Sequence, residues 1–353
     1  MWLADMSVRL REAELFNTGN RSATFPSQLL GWDVDVANTV QFSNHTGYGR
    51  WGGLRFDAEH LRQLFEGMDQ NGLLTQGRVL TGYTPSPEAL ATVESLISTL
   101  RERKPDMIYL LDPVMGDMDR GMYVNPDVLP IYRRMLRLST IITPNQFEAQ
   151  VLTDTHIASL ESLQRVLEKL HVEFQVPNVL ITSVELPDEA LVQLGASSKM
   201  PDGSPAMLLV GSSWEGRVRP WTLQFPTLGE YFSGVGDLFA ALTLARFATS
   251  VDELPEPARA LHGIPAVEEN ECTLPIARAV MLAVASLQQV LHRTRATMMG
   301  EAPKLGVDPL QPAHLADIET RVKVMRLREL RIVQSAREIL QPDVRYRPRW
   351  ALL

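Results

Sequence analysis

The chain has 353 residues, enough for one large domain or two small ones, and 45% of them are hydrophobic, which is ample for a sizeable core. The net charge of −8 argues against a surface for nucleic acid or for an anionic membrane, and no apolar run approaches the length of a membrane span. A single cysteine, Cys272, excludes an internal disulfide framework. Because the start also lacks a signal-peptide pattern, we expect a cytosolic protein, with the nucleus left open.

Strand and helix patterns alternate along the chain. Short apolar runs predict strands, and apolar residues at helical spacing predict helices between them. The predicted strands are 34–42, 79–81, 107–111, 138–142, 179–181 and 206–210, and the predicted helices are 56–68, 86–100, 159–170 and 237–247. Continuous runs such as 107–111 are typical of strands that are covered on both faces. The alternation therefore predicts an α/β fold with a mostly parallel central sheet and helices on both of its faces.

The C-terminal third departs from this alternation. Residues 250–273 are rich in Pro, Glu and Ala and are predicted to form a surface insertion. Residues 299–312 contain Pro and Gly and are predicted to be a linker to a helical tail. The basic residues from Arg326 to Arg337 are interpreted as a solvated helix face rather than a binding patch.

Five polar clusters fall at strand ends of this pattern. They occupy residues 81–83, 112–117, 143–148, 182–183 and 234–237. In parallel sheets, ligands bind beyond the carboxyl ends of the strands. We therefore expect these clusters to converge on one crevice.

The segment 232–247 is the most informative of these clusters. Gly234 and Gly236 allow a tight turn with bare N–H groups, and Asp237 opens an apolar helix whose positive end faces the same point. An anion hole beside a carboxylate base is what phosphoryl transfer to an alcohol requires. The alternative is an ordinary turn with a helix cap. The glycine spacing fits neither a dinucleotide fingerprint nor a Walker P-loop.

Acidic and amide side chains at the neighbouring strand ends could serve a phosphate-bound metal. Asp112 and Asp117 flank a turn and can hold a hydrated Mg²⁺. Asn145 and Glu148, three residues apart, could reach metal-bound water and nucleotide phosphates, or could be only a helix cap and a surface acid. Hydroxyl groups available to phosphate follow the next strand, on Thr182 and Ser183.

The run 41–48 crowds an aromatic ring, hydroxyls, amides and a histidine at one strand end. Phe42 could stack on a flat heteroaromatic substrate, and Thr46 could hydrogen-bond to it. His45 could contact the same substrate or could be a structural residue.

At these motifs the sequence resembles the eukaryotic pyridoxal kinases of the ribokinase-like superfamily. The resemblance extends from about residue 19 to the C-terminus, and the run 44–48 is its most specific part. It depends on segments 19–26, 41–48, 80–83, 112–117, 142–149, 181–183, 234–239 and 329–335.

The resemblance implies a three-layer sandwich that phosphorylates the 5′-hydroxyl of pyridoxal, pyridoxine or pyridoxamine with ATP. It implies Mg²⁺ or Zn²⁺, a monovalent cation (K⁺ or Na⁺) and a homodimer. It also implies one domain over residues 19–353, which includes the insertion at 250–273 and a helical tail at 313–353 that packs on the domain.

The resemblance also implies roles for individual residues. Asp237 would be the general base, and the catalytic anion hole would comprise Gly234, Val235 and Gly236. Asp237 would also contact the vitamin, in a pocket lined by Phe42, His45, Thr46, Tyr83 and Tyr123. The ATP-binding residues would be Asp112, Asn145, Glu148, Thr182, Ser183, Phe232 and Gly234. The metal-binding residues would be Asp112, Asp117, Thr143, Glu148 and Thr182.

Two features depart from the family pattern. Residues 1–18 read as a charged helix, whereas the family begins with an apolar strand and a Gln-Ser-His-Val turn. The first strand and the vitamin-contacting serine are therefore expected to be missing, and we favour a wrongly assembled first exon over a genuine variant. Val235 replaces the usual threonine of the family and lacks a hydroxyl near the phosphates.

Two other functions stay open at this point. One is a ribokinase-like kinase for another small alcohol, such as a hydroxymethylpyrimidine. The other is a catalytically impaired relative that binds B6 vitamers or nucleotide.

Overall fold

A nine-stranded sheet runs through the computed structural model, which describes residues 2–5, 18–259, 261–312 and 316–351. The strands are β1 Trp2–Asp5, β2 Asp33–Val36, β3 Val40–Phe42, β4 Gly53–Arg55, β5 Arg78–Thr81, β6 Ile108–Leu111, β7 Gly116–Asp117, β8 Gly121–Met122, β9 Ile141–Ile142, β10 Asn178–Val184, β11 Ala206–Trp214, β12 Val218–Pro226 and β13 Arg349–Trp350. The helices are α1 Thr18–Leu29, α2 Ala58–Gln70, α3 Pro87–Arg103, α4 Val128–Leu136, α5 Gln146–Thr153, α6 Leu160–Glu168, α7 Asp188–Gln193, α8 Val235–Arg246, α9 Glu256–Arg259, α10 Pro275–Leu305, α11 Ile318–Leu327 and α12 Ala336–Leu340.

The sheet order is β13-β12-β11-β10-β9-β6-β5-β1-β2, while β3–β4 and β7–β8 form separate two-stranded ribbons. The four central strands β5, β6, β9 and β10 are parallel, and the strands on either side of them pair antiparallel. The α/β fold class is therefore confirmed, but the sheet is mixed rather than mostly parallel. One reason is that a tight turn joins β11 to β12, which forces an antiparallel pair.

Two hydrophobic cores lie on opposite faces of this sheet. Because side chains alternate along a strand, Leu111 of β6 points into one core and Leu110 into the other, and both are fully buried. The first core is covered by helices such as α2 and α3, and the second by α1, α8 and α10. The prediction that these continuous apolar strands are covered on both faces is confirmed.

Several predicted boundaries shift in the structure. Residues 34–42 form two strands, β2 and β3, rather than one. The predicted linker at 299–312 is wrong in its first half, because α10 continues to Leu305 and ends where Gly306 adopts a left-handed backbone (φ +64°). The helix tolerates Pro303 in its last turn. Among the described residues, no helix is long and apolar enough to cross a membrane.

The N-terminal prediction also needs correction. Residues 2–5 form β1, which pairs antiparallel with both β2 and β5, so a strand is present where the sequence predicted a charged helix and a missing strand. Strand β1 supplies backbone partners to two strands that would otherwise leave N–H and C=O groups unpaired, which outweighs its weak local signal. Residues 6–17, where the serine of the Gln-Ser-His-Val turn was expected to be missing, lie outside the described residues.

The C-terminal segments pack more closely than predicted. The tail contains α11 and α12, but it also adds β13 to the edge of the sheet. Helix α11 ends at Leu327, and the next residue, Arg328, is buried and donates hydrogen bonds to the carbonyls of Pro309 and Gln311. The interpretation of 326–337 as one solvated helix face is therefore wrong. In the predicted insertion at 250–273, residues such as Leu254 and Cys272 join the second core, so this segment is only partly at the surface.

Helix α8 carries the Gly-x-Gly-Asp motif at its start and is held firmly at its end. Arg78 of β5 is buried and donates hydrogen bonds to the carbonyls of Leu244 (3.0 Å) and Phe247 (2.5 Å), and its guanidinium stacks on Trp32. The indole N–H of Trp32 donates to the carbonyl of Ala245 at 2.9 Å. These donors satisfy carbonyls that the last turn of a helix leaves unpaired, and the positive charge suits the negative end of the helix.

Candidate active site

The polar strand ends lie side by side along one edge of the sheet. The N–H of Asp112 donates to the carbonyl of Thr81 at 2.8 Å, and that of Thr143 donates to Leu111 at 3.1 Å. One strand further, the N–H of Thr182 donates to the carbonyl of Pro144 at 3.0 Å. Residues at or near the carboxyl ends of β5, β6, β9 and β10 are thus brought together as predicted.

The loop before α8 packs tightly on one side and is open on the other. Gly234 adopts a left-handed backbone (φ +85°), and a Cβ at this position would lie 2.5 Å from the Oγ of Ser22. At Gly236, by contrast, no described atom lies within 4 Å of an added Cβ, apart from its chain neighbours and the nearby backbone of α8. The first N–H groups of α8 have no partner within the helix. The loop is therefore rigid at Gly234 and free to receive an anion at Gly236.

Asp237 stands in the first turn of α8, partly buried. An added Cβ at Gly82 would lie 3.8 Å from its Oδ1, so the missing side chain of Gly82 leaves space in front of this carboxylate. Burial raises the pKa of Asp237 above its ordinary value. A carboxylate that is more basic than usual and has free space before it is suited to take a proton.

Asp112 faces two other carboxylates. Its Oδ1 accepts a hydrogen bond from the hydroxyl of Thr143 at 3.2 Å. Burial, together with the charges of Glu148 and Asp237, raises the pKa of Asp112 well above its ordinary value. The site therefore concentrates negative charge that a bound cation would neutralise.

Glu148 and Asn145 form a capping box at the start of α5. The Oε2 of Glu148 accepts the N–H of Asn145 at 2.9 Å, and its Oε1 accepts the N–H of Met115 at the same distance. The Asn145 amide donates to the carbonyl of Gly116 at 2.7 Å. Burial raises the pKa of Glu148 to about 7. The alternative of a surface acid is wrong for Glu148, whereas the helix cap is confirmed, and the pair holds the 112–117 loop against α5.

The β7–β8 ribbon carries Asp117 and leads to Tyr123. Asp117 accepts the N–H of Arg120 at 2.8 Å, and the N–H of Tyr123 donates to Met115 at 3.0 Å. The side chain of Tyr123 is 52% exposed, and burial and the charges of Glu148 and Asp117 raise its pKa. Tyr123, which the resemblance places in the vitamin pocket, therefore lies beside the carboxylate cluster.

The carboxylate groups at this site suit a cation that phosphate oxygens also coordinate. They suit less well a metal ion that protein side chains alone coordinate. No group of three or more His, Cys, Asp or Glu side chains in the described ranges could ligate a metal ion. Both oxygens of Glu148 are occupied by backbone N–H groups, which leaves Asp112 and Asp117 as the better candidates. Mg²⁺ is usually held by one or two carboxylates with water and phosphate oxygens, so this donor set fits it.

The loop at 43–49, which we call the substrate loop because of its predicted role, is tied to the C-terminal tail. The hydroxyl of Tyr48 donates to Glu329 at 2.9 Å, and the Nε2 of His45 lies 3.6 Å from the same carboxylate. Thr46 is exposed on a short 3₁₀ helix. Ser43, Asn44, Tyr48, Ser22, Ser233 and Glu329 are among the residues that line a cleft of about 530 Å³.

The other predicted site residues lie in four different places. Phe42 is buried at the end of β3, where its ring lies 6.4 Å from that of Trp51. The carbonyl of Tyr83 accepts the Thr39 hydroxyl at 2.9 Å, which joins the β2–β3 turn to the end of β5. The β10–β11 register shifts at Thr182 and Ser183, which lie in a bulge. Phe232 is buried in the second core.

Three residues at this site were missed as site residues by sequence reasoning. Gly82 faces Asp237, Ser22 packs on Gly234, and Glu329 holds the substrate loop. All three lie in segments that carry the family resemblance, so their motifs were visible. Their partners were not, because each partner is far away along the chain.

We predict that Asp112→Asn stabilises the protein while it impairs activity. Without nucleotide, the melting temperature should rise by about 1–2 °C, the shift that ~1 kcal/mol produces in a domain of this size. An acid whose pKa is raised by folding makes the folded state less stable as pH increases above the ordinary pKa of that acid. The stability gained by replacing Asp112 should therefore increase with pH. Thermal unfolding at several pH values measures it, with the exposed Asp119→Asn as control. A lower melting temperature, or a gain independent of pH, would contradict the prediction.

The chain resembles known proteins in three comparisons, with a family model, with individual sequences and with solved structures. A family model described as phosphomethylpyrimidine kinase matches residues 79–198. The chain is 37% identical over 335 residues to a pyridoxal kinase of Sus scrofa, covering 92% of this chain and 89% of that protein. It is 36% identical over 335 residues to a pyridoxal kinase of Homo sapiens, covering 92% of each. A solved structure, pyridoxal kinase from Leishmania donovani in complex with ADP and pyridoxamine, matches with a TM-score of 0.69 and 26% identity over 94% of both chains.

Proposed function

This chain belongs to the pyridoxal kinase family, and on that premise we propose that it transfers the γ-phosphoryl group of ATP to the 5′-hydroxyl of pyridoxal, pyridoxine and pyridoxamine. The observation that carries the proposal is the placement of Asp237 at the start of α8. It lies beside the open Gly236 and opposite the bare Gly82. A base and an anion-binding helix start thus share one space that a hydroxyl can enter.

The transfer needs few reacting groups from the protein. Asp237 accepts the proton of the hydroxyl while the hydroxyl oxygen bonds to the γ-phosphorus. The bond between the γ-phosphorus and the bridging oxygen breaks, and ADP leaves with those electrons. The N–H groups at the start of α8, from Val235 to Asp237, donate to the phosphoryl oxygens as charge develops on them. The firm anchoring of α8 at Arg78 keeps these donors in place.

We propose Asp112 and Asp117 as the residues that hold Mg²⁺ or Zn²⁺, with Glu148 orienting their loop. The raised pKa of Asp112, which comes first from burial and then from the charges of Glu148 and Asp237, supports this, because a bound cation would neutralise the buried negative charge. A bound divalent cation would neutralise phosphate charge during the transfer. Thr143 and Thr182, which lie on adjacent strand ends, are proposed to stand near K⁺ or Na⁺.

Nucleotide and vitamin are proposed to approach from opposite sides of the anion hole. Asn145, Thr182 and Ser183 are assigned to the ATP side, as the resemblance implies, whereas Phe232 is buried in the second core. Support for the vitamin side comes from the substrate loop, whose His45 and Tyr48 are held in place by Glu329. A homodimer in the cytosol completes the proposal on the same resemblance, and light scattering of the purified protein would measure its mass.

A second candidate is a kinase for a hydroxymethylpyrimidine. The matching family model, described as phosphomethylpyrimidine kinase, favours it, but that match begins at residue 79 and leaves out the substrate loop. The ATP side would be the same in both enzymes, so the acceptor alone separates them.

A panel of acceptors tests the proposal. The purified chain is incubated with ATP, Mg²⁺, K⁺ and each B6 vitamer or hydroxymethylpyrimidine, and the phosphorylated products are separated by chromatography. We expect pyridoxal 5′-phosphate and its analogues. Phosphorylation of hydroxymethylpyrimidine alone would overturn the proposal in favour of the second candidate. Vitamin and ATP binding without any product would identify a catalytically impaired relative.

We predict that Val235→Thr increases turnover modestly. Val235 is the first residue of α8 and packs partly against the second core, so its N–H persists in the variant while a hydroxyl is added near the phosphates. One neutral hydrogen bond contributes about 1 kcal/mol, which corresponds to a rate about fivefold higher. Steady-state kinetics with saturating ATP measure it, with Val235→Ala as the control for side-chain packing. An unchanged kcat in the threonine variant would refute the prediction.

A further inference from the structure

The C-terminal residues 329–331, which we call the clasp, contact two loops of the active site and then helix α10. Glu329 accepts the Tyr48 hydroxyl at 2.9 Å and lies 3.6 Å from the Nε2 of His45, both in the substrate loop. The Cδ1 of Leu330 lies 3.7 Å from the position of a Cβ added to Gly234. Two consecutive residues, Glu329 and Leu330, thus join the substrate loop to the anion-hole loop.

The clasp itself is fixed to the body of the protein. The N–H of Arg331 donates to the hydroxyl of Thr294 at 3.0 Å. Thr294 is fully buried in α10, and its hydroxyl donates in turn to the carbonyl of Val290 at 2.8 Å. Because this anchor lies in the longest helix of the second core, the clasp can hold the substrate loop against a rigid reference.

A second contact from the tail acts on the same loop. The Nε of Arg321, in α11, donates to the carbonyl of Gly47 at 2.8 Å. Its guanidinium also lies about 3.1 Å from where a Cβ on Gly49 would stand, and Gly49 has a left-handed backbone (φ +79°). The 3₁₀ turn at Thr46–Tyr48 is one turn long and is closed by the N–H groups of Tyr48 and Gly49, so a contact from Arg321 adds to a small local set of hydrogen bonds.

We infer that Glu329 is a positioning residue that orders the substrate loop for the vitamin and couples it to the anion hole. This inference rests on the proposed function of the loop and deepens it. In the described part of the chain, the polar partners of Glu329 are Tyr48 and His45 of the substrate loop, and Asp237 is not among them. Its effect should therefore fall on affinity for the vitamin, and affinity for ATP should be unaffected.

The experiment compares Glu329→Ala and Tyr48→Phe with the wild-type chain. The control is Glu319→Ala, which removes an exposed acid from the first turn of α11. Pyridoxal affinity is measured by titration calorimetry, and both KM values are measured where turnover occurs. Hydrogen exchange of the amides at 44–49 is followed without any ligand.

We expect Glu329→Ala to weaken pyridoxal binding about fivefold to tenfold, since a partly exposed charged hydrogen bond is lost. Exchange at 44–49 should accelerate by a similar factor. Tyr48→Phe should have a smaller effect, which disappears when Glu329 is already alanine, because the two residues share one interaction. The KM for ATP and the properties of Glu319→Ala should match the wild type within about twofold.

Two results would overturn the inference. One is unchanged exchange and pyridoxal affinity in both Glu329→Ala and Tyr48→Phe. The other is an equal loss of ATP and vitamin affinity together with faster exchange throughout the protein, which is the mark of a purely structural residue. Failure of the proposed function is distinguishable from both. If the wild type does not bind pyridoxal, that function fails, and the exchange at 44–49 alone decides whether the clasp orders the loop.

Discussion

Replacing Asp237 by asparagine should lower kcat by about 10²–10⁴-fold, the range typical for loss of a general base. The amide preserves the shape of the side chain but cannot accept the proton of the attacking hydroxyl. Nucleotide binding should persist, because the N–H groups at the start of α8 belong to the backbone. Single-turnover kinetics with ATP and pyridoxal measure the chemical step, and equilibrium titration with ADP measures binding.

The control for this prediction is Asp119→Asn, which neutralises an exposed acid between β7 and β8. It should retain wild-type kcat. If Asp237→Asn keeps most of its rate while ADP still binds, Asp237 is not the base. Equal losses in both variants would instead indicate a general effect of negative charge near the site.

The pH dependence offers an independent test of the same residue. Asp237 must be ionised to accept a proton, and burial raises its pKa. Activity should therefore decrease as pH falls through a value above the ordinary range of an aspartate, and it should be fully present at higher pH. The acidic limb of the kcat/KM profile reports this group in the free enzyme. The residual activity of Asp237→Asn should lack that limb, and a limb that persists would assign it to another group.

The second large effect is expected from the two glycines before and within α8. Gly234→Ala forces an L-residue into a left-handed backbone, which costs about 1–2 kcal/mol, and its Cβ would collide with the buried Ser22 hydroxyl at 2.5 Å. The loop must then shift. A displacement of about 1 Å in the anion hole can reduce kcat on the order of 10²-fold.

Gly236→Ala is the matched comparison, because no described atom outside its chain neighbours and the nearby backbone of α8 lies within 4 Å of its added Cβ. It should unfold at nearly the wild-type temperature and still lose activity, since the methyl group enters the space proposed for the phosphoryl group. Thermal unfolding and kcat together separate the two variants. Adding Ser22→Ala should restore part of the stability of Gly234→Ala. Equal melting temperatures for the two glycine variants would contradict this account of the loop.

Local chemistry made much of the site predictable. The cap at Ser86 accepts the N–H of Ala89, and Asn145 with Glu148 forms a reciprocal cap, as their spacing indicated. Helix caps and buried apolar strands depend on residues only a few positions apart, so they can be recognised without a fold. Even so, the same spacing left open whether Glu148 was a surface acid.

Strand direction was less predictable than strand position. The run at 206–210 was recognised as a strand, but nothing within it indicated that β11 would pair antiparallel with β10. Strand β1 was missed because four residues carry little local signal, whereas pairing on both sides stabilises them in the sheet. Phe232 was predicted to be a site residue, and Arg328 was predicted to be exposed to solvent. Only the tertiary packing showed that both residues are buried.

The sequence by itself determined the α/β class, the buried strands, the caps and the chemistry of the Gly234–Asp237 turn, because these depend on the order of residues within one or two elements. Only the tertiary structure decided which of those groups meet. Tyr48 and Glu329 are 281 positions apart, and the contacts of Ser22 with Gly234 and of Gly82 with Asp237 likewise join distant segments. Such contacts follow from the order of strands in the sheet and from the path of the C-terminal tail. The strand order and the path of the tail are determined by the burial of two whole cores, and no local pattern encodes them.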